Sequence, residues 1–219
     1  LAVTFRYNEN GIVEVECLDL NNGQTLGHRM SKSGVSLEDL ARDNVPVHIA
    51  LLLDCSGSMY GQSINEARRA AKSFVDHTLA GVANRRVSLV AFPGGLKTPV
   101  TNDKSVVMDA IGGLSPIGST PMALGLAQAR AALKNSTGVH KVYVVLTDGH
   151  PDDPEGTMEE CHRIRRTGGR IITVGVGRQV QQAYLRGLCS SPSDYHHCDQ
   201  SIELEGTFIN LATELSDGA

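Results

Sequence analysis

The 219-residue chain has no tryptophan, and aromatic residues make up only 4% of it. A core built from it must rely on Leu, Val, Ile and Ala, which the 41% hydrophobic content supplies. Excess positive charge is also missing. The formal net charge is −4, so the chain carries no electrostatic footprint for nucleic acid. No apolar run approaches the roughly 18 residues of a membrane span, and there is no signal-peptide pattern. Cysteine is scarce and odd in number: Cys17, Cys55, Cys161, Cys189 and Cys198. Five unevenly spread cysteines do not form a disulfide framework. A reducing, cytoplasmic setting is expected. The chain begins at Leu1 rather than Met, and the expectation is a piece of a longer protein. Fixed-period repeats and low-complexity segments are lacking too.

What is present divides near residue 45. Val3, Phe5 and Tyr7 alternate with polar residues, as do Val13, Val15 and Cys17, around Asn8-Glu9-Asn10-Gly11. That predicts a β-hairpin ended by Asn21-Asn22-Gly23. Ser31 to Asn44 reads as a polar connector with a short helix near Leu37 to Leu40. Residues 1–44 are therefore an N-terminal β-hairpin and connector, and 45–219 form the main domain. There, Val47 to Leu53 is nearly all apolar, as befits a strand covered on both faces. Further strands are expected at Val87 to Phe92, Thr98 to Thr101 (an edge strand), Val142 to Leu146, Ile171 to Val176 and Tyr195 to Cys198. Between them lie helical spacings: Ile64 to Leu79, Val107 to Leu114, Pro121 to about Lys134, a helix stopping at Gly168-Gly169, Val180 to Leu188, and Leu204 to Leu215. Ser63 with Glu66, and Thr157 with Glu160, read as capping boxes. Strand alternating with helix implies an α/β fold with a doubly wound, mostly parallel sheet and helices on both faces.

In such sheets ligands bind beyond the carboxyl ends of the strands. Three polar clusters fall there: Asp54-Cys55-Ser56-Gly57-Ser58 after the first strong strand, Gly118-Ser119-Thr120-Pro121 before a helix, and Thr147-Asp148-Gly149 after another strand. Singly, each has a plain alternative. Asp54, Ser56 or Ser58 can cap a turn, Thr120 before Pro121 suits an N-cap, and Asp148-Gly149 is a common turn. Together they supply two carboxylates and at least three hydroxyls at one edge. Hard oxygen donors suit Mg²⁺, Mn²⁺ or Ca²⁺ rather than zinc, and Mg²⁺ is commonly held by few carboxylates plus water.

Competing chemistries fit less well. Gly113 to Thr120 has the glycine spacing of a phosphate-binding loop, but Ser119 stands where its lysine belongs. Gly175-Val176-Gly177 lacks the third glycine of a dinucleotide loop. Phosphoryl transfer through Asp54 resembles the aspartate-based phosphatases, yet Ser56 occupies the place of their second aspartate. A Gly-x-Ser-x-Gly elbow is absent. Cys189, His196, His197 and Cys198 have a zinc-like composition with the wrong spacing. Arg163, Arg165, Arg166 and Arg170 read as a solvated face, and Asn135-Ser136-Thr137 as a chance acceptor sequence. His150, Asp152 and Asp153 either line the rim of the site or form a polar surface loop, the default reading.

"DCSGSM" resembles the Asp-x-Ser-x-Ser signature of von Willebrand factor type A domains. Thr120 of "GSTP" and Asp148 of "LTDG" match the family's second- and third-loop positions in order, from about Val45 onward. The resemblance implies a metal-ion-dependent adhesion site. Ser56 and Ser58 would ligate through hydroxyls, and Thr120, Asp54 and Asp148 directly or through water. A partner's Asp or Glu carboxylate would complete the coordination. The expected function is thus a non-enzymatic, Mg²⁺-dependent protein-binding module. The alternatives are a metal-dependent phosphoryl-transfer enzyme using Asp54, or a structural assembly domain with an inert metal. Short loops and the plain "TDG" turn resemble bacterial intracellular members, which often serve beside ATPase, kinase or protease modules.

Overall fold

A computed structural model describes residues 2–7, 13–18, 25–30, 46–80, 84–178 and 180–218. The chain divides into two compact units, Leu1–Asn44 and Val45–Ala219. In the first, β1 (Ala2–Tyr7) and β2 (Val13–Leu18) pair antiparallel, with Val3 opposite Cys17 and Phe5 opposite Val15. The expected hairpin is incomplete. A third strand, β3 (Thr25–Met30), pairs antiparallel with β2, giving the order β1-β2-β3. Its sequence, TLGHRM, carries Gly27 and lacks clean alternation, which hides it from a period-two reading. The expected connector helix at Leu37 to Leu40 lies outside the described residues.

The second unit is a six-stranded sheet ordered β6-β5-β4-β7-β8-β9. Its strands are β4 (Val47–Asp54), β5 (Arg85–Phe92), β6 (Gly95–Thr101), β7 (His140–Thr147), β8 (Arg170–Val176) and β9 (Tyr195–Cys198). All neighbours are parallel except β5 and β6, which pair antiparallel. Six helices cover the faces: α1 (Gln62–Leu79), α2 (Lys104–Gly112), α3 (Met122–Ala132), α4 (Pro154–Arg166), α5 (Gln182–Leu188) and α6 (Leu204–Gly218). Strand parity sorts the core into two layers. Ile49, Leu51 and Leu53 face α1, α2 and α6, while Ala50 and Leu52 face α3, α4 and α5. A strand buried on both faces must be apolar at every position, which is why β4 reads as a continuous run. In the first layer, Phe74 of α1 meets Phe208 of α6 edge to face, at 5.7 Å between ring centroids.

Several helix starts differ from the sequence reading. Neither capping box forms. Gly61, at φ +87°, is the N-cap of α1, and its left-handed backbone suits glycine. Asp153 caps α4 instead, its Oδ1 accepting from Gly156 N at 2.8 Å, so Thr157 lies inside the helix. Thr157 Oγ1 donates to the Asp153 carbonyl at 2.7 Å. An acceptor just before Pro154 outcompetes one four positions later, because Pro at the first helical position already fixes the start. Arg163 and Arg166 are exposed, as a solvated face requires, but Arg165 and Arg170 are structural. Arg165 Nη1 donates to the carbonyls of Leu188 and Cys189 at 2.6 and 3.0 Å, and Arg170 pairs with buried Asp194 at 2.8 Å.

Glu160 is 6% exposed and is held by Arg130 (2.9 Å) and by Arg163. Burial pushes its carboxyl up, but hydrogen bonds and charge from the two guanidinium groups outweigh this and leave it below the ordinary 4.5. A depressed carboxyl contributes stability that is fully present above its unfolded value and lost as pH falls through its folded one. Glu160→Gln is expected to cost about 1 kcal/mol at neutral pH, since both arginines are partly solvent-screened. In urea titrations at stepped pH the deficit against the unsubstituted chain shrinks below about 4.5. Phe208→Ala is expected to cost about 3–4 kcal/mol by the same measurement, through a cavity between α1 and α6.

Candidate functional site

The parallel strands β4 and β7 end side by side, with Leu53 level with Leu146. The residues that follow, Asp54 and Thr147-Asp148, therefore emerge together at the carboxyl edge. Asp54 is fully buried. Its Oδ1 accepts from Ser56 N at 2.8 Å, which bends the chain sharply after the strand. Its Oδ2 accepts from Thr147 Oγ1 at 2.6 Å, tying β4 to β7. Ser56 Oγ lies 2.9 Å from Ser58 Oγ, and Ser58 Oγ donates to Asp148 Oδ1 at 2.7 Å. A continuous chain of polar atoms thus runs from the first loop to the third.

The second loop is docked onto the first by backbone. Gly57 N donates to Gly118 O at 3.0 Å, and Ile117 N to Cys55 O at 2.7 Å. Gly118 has φ +67°, a conformation that favours glycine. Thr120 does not cap the helix: Pro121 holds the N-cap position without a side-chain bond. Its hydroxyl instead approaches the other two loops. A Cβ added to Gly149 would stand 3.6 Å from Thr120 Oγ1 and 3.9 Å from Ser58 Oγ. The structure thus gathers Asp54, Ser56, Ser58, Thr120 and Asp148 in one place.

Two further residues hold this arrangement, though neither was placed among the site residues in the sequence. Thr147 bonds Asp54, and its Oγ1 also accepts from Gly149 N at 3.1 Å. A hydroxyl directly before the third-loop aspartate was its only sequence signal. Asp152, read by default as surface loop, clasps Thr120 from both sides. Its Oδ1 accepts from Thr120 N at 3.0 Å, and its own N donates to Thr120 O at 3.0 Å. His150 lies against Tyr184, with ring centroids 5.6 Å apart.

The other candidates disperse. Cys55, Cys161, Cys189 and Cys198 are buried free thiols. Cys189 Sγ lies 2.9 Å from Thr173 Oγ1, while Cys198 Sγ contacts Thr207 Oγ1 at 3.2 Å. Among the described residues no three His, Cys, Asp or Glu side chains gather as a metal cluster. The carboxyl edge, with two acids and several hydroxyls, is a different donor set.

Electrostatically the edge is short of positive charge. Burial pushes the Asp54 carboxyl up to about 6, against the hydrogen bonds from Ser56 and Thr147, and Asp148 adds to the rise. Asp148 is also raised by burial. Among the described residues neither forms an ion pair with Lys, Arg or His. Two desolvated carboxylates with neutral hydroxyls and no counter-charge fit a hard divalent cation. Burial and full hydrogen bonding also make Asp54 a poor nucleophile, since an attacking oxygen must reach a substrate.

The chain is an open, doubly wound α/β protein whose oxygen-donor cluster lies at the carboxyl edge, where such sheets commonly bind ligands. The von Willebrand factor type A domain profile matches residues 48–207. The chain belongs to that family. Chicken (Gallus gallus) matrilin-1 is 26% identical over 164 residues, covering 69% of this chain and 33% of matrilin-1. The chain therefore spans about a third of the length of that curated relative. Among solved structures, the von Willebrand domain of the type V pilus tip protein Mfa5 from Porphyromonas gingivalis aligns with a TM-score of 0.72 at 16% identity. It covers 78% of this chain and 95% of that one. Proximal thread matrix protein 1 from the mussel byssus, solved with a zinc-occupied MIDAS motif, aligns with a TM-score of 0.70 at 22% identity. That alignment covers 81% of this chain and 49% of that one.

Thr147→Val is expected to lower stability by about 1–3 kcal/mol, because it strips a buried acceptor of its donor. Thr147→Ser should restore most of the loss. Urea denaturation of the three chains reads both effects.

Proposed function

We propose that this chain is a protein-binding module whose interaction depends on a divalent cation held by Asp54, Ser56, Ser58, Thr120 and Asp148. The convergence of these five side chains from three loops at one sheet edge, with no ion pair to Asp54 or Asp148 among the described residues, carries the reading. Family membership supports it. The relatives named for matrilin and for a pilus tip point the same way, as does the byssus protein whose MIDAS motif holds zinc. Mg²⁺ is the proposed ion, with Mn²⁺ as its stand-in and Ca²⁺ as a further possibility in the cell.

Each residue has a distinct task. Ser56 and Ser58 offer hydroxyl oxygens already in contact with one another. Asp148 orients the Ser58 hydroxyl. Asp54 fixes the turn that presents both serines, and Thr120, braced by Asp152, closes the site from the second loop. Bound there, the cation supplies a Lewis-acidic centre with few protein charges around it, which favours an incoming Asp or Glu carboxylate. No bond is made or broken in the partner.

Calorimetric titration of the full chain with Mg²⁺ and with Mn²⁺ is expected to give saturable one-to-one binding. A Ser56→Ala, Ser58→Ala double variant should lose that binding, at least tenfold, while keeping its circular dichroism spectrum. Absence of binding to the unsubstituted chain would overturn the proposal. Metal-dependent hydrolysis of phosphate esters that vanishes in Asp54→Asn would instead favour the enzymatic alternative.

A further inference from the structure

A groove of about 440 Å³ opens at the cluster, with Ser58 and Asp148 in its lining. Its lining also takes in Arg178, two residues past the end of β8, and Asp199 and Ile202 from the segment before α6. This volume is within the usual range of ligand pockets, roughly 300–1,000 Å³. Its charges are not equivalent. Asp148 accepts from Ser58, and Asp199 lies 3.1 Å from His197 Nε2. Arg178 is exposed, and its guanidinium has no hydrogen bond or ion pair among the described residues. Ile202, a large apolar side chain, is 52% exposed in the same groove.

We infer that the groove binds an extended protein segment carrying two acidic side chains, the second of which pairs with Arg178. The inference rests on the cation reading above, which assigns the first acidic side chain to the cation cluster. A guanidinium with all its donors free presents a planar fork matched to a carboxylate, which a point charge does not. Ile202 adds an exposed apolar side chain to the same groove, so an aliphatic side chain beside the acids suits the partner. Charge complementarity selects this occupant. A basic segment would meet both Arg178 and a cation. A wholly apolar one would leave the free guanidinium covered and unpaired, which is costly. Arg178 thereby discriminates among acidic partners, while the cation cluster alone accepts any accessible carboxylate.

The test uses the full chain with Mg²⁺ and three capped peptides: Glu-Leu-Gly-Glu, Glu-Leu-Gly-Gln and Gln-Leu-Gly-Gln. Binding is read by amide chemical shifts in two-dimensional NMR. The two-acid peptide is expected to bind about three- to fivefold more tightly than the one-acid peptide, the increment of a solvent-exposed ion pair. Arg178→Ala should erase that ratio while keeping the one-acid affinity, and Arg178→Lys should restore part of it. Equal affinities in the unsubstituted chain, or a ratio that survives Arg178→Ala, would overturn the inference while leaving the cation reading intact. If chelator leaves the one-acid affinity unchanged, or no peptide binds with Mg²⁺ present, the cation reading fails and the inference fails with it.

Discussion

The whole carboxyl edge depends on one buried carboxylate. Asp54 ends the central strand with no exposed surface, and each of its oxygens accepts a hydrogen bond from a different segment. The bond from Ser56 N makes the chain turn within two residues. The bond from Thr147 holds the end of the neighbouring strand in register. Removing a carboxylate from water is expensive, and two hydrogen bonds from neutral groups offset that only in part. Burial, helped by nearby Asp148, raises the Asp54 carboxyl to about 6 despite those bonds. Selection for stability alone would replace such a group with an apolar one of similar volume. Its place at the end of an apolar central strand puts a stability cost at the edge where the proposed site lies.

Parallel topology does the rest of the positioning. Because β4 and β7 run the same way and in register, their following loops cannot avoid meeting. The second loop arrives from a helix rather than a strand, and topology alone does not bring it in. Backbone bonds do so, from Gly57 to Gly118 and from Ile117 to Cys55. Those bonds need no particular side chain, only the close approach and positive φ that glycine at 118 permits. The reciprocal pair between Thr120 and Asp152 then fixes the second loop to the third. Three loops become one rigid rim, and rigid placement of donors is what a cation site requires.

The fold was legible in the sequence because its main signal is strong. Val47 to Leu53 and Val142 to Leu146 are uninterrupted apolar runs, and the helices between strands keep a clear 3.6 period. Four of the five clustered side chains were legible for a related reason. Asp54, Ser56, Ser58 and Asp148 follow adjacent parallel strands, so sheet topology predicts that they meet, while Thr120 was legible only through its resemblance to the family's second-loop position. What stayed hidden is short-range competition and support. Two capping boxes had the right residues three apart, yet Gly61 and Asp153 took the helix starts. β3 was missed because Gly27 and His28 break its alternation. Thr147 and Asp152 lie in or beside the third cluster, but their role of holding other side chains was hidden, since no spacing rule encodes a hydrogen bond between loops.

The edge also shows how one surface can separate affinity from choice. A cation held mainly by neutral hydroxyls attracts any carboxylate that reaches it, so that contact alone discriminates poorly. Discrimination requires a second group that rewards one partner and penalises the rest. The free guanidinium of Arg178 in the adjoining groove has both properties. It gains from a matching acid and loses its hydration for nothing against an apolar or basic segment. Its exposure keeps the reward small, about 1 kcal/mol or less. That magnitude suits a reversible module of the kind proposed, in which the cation cluster would make the main contact and a weak outer charge would decide which partner makes it.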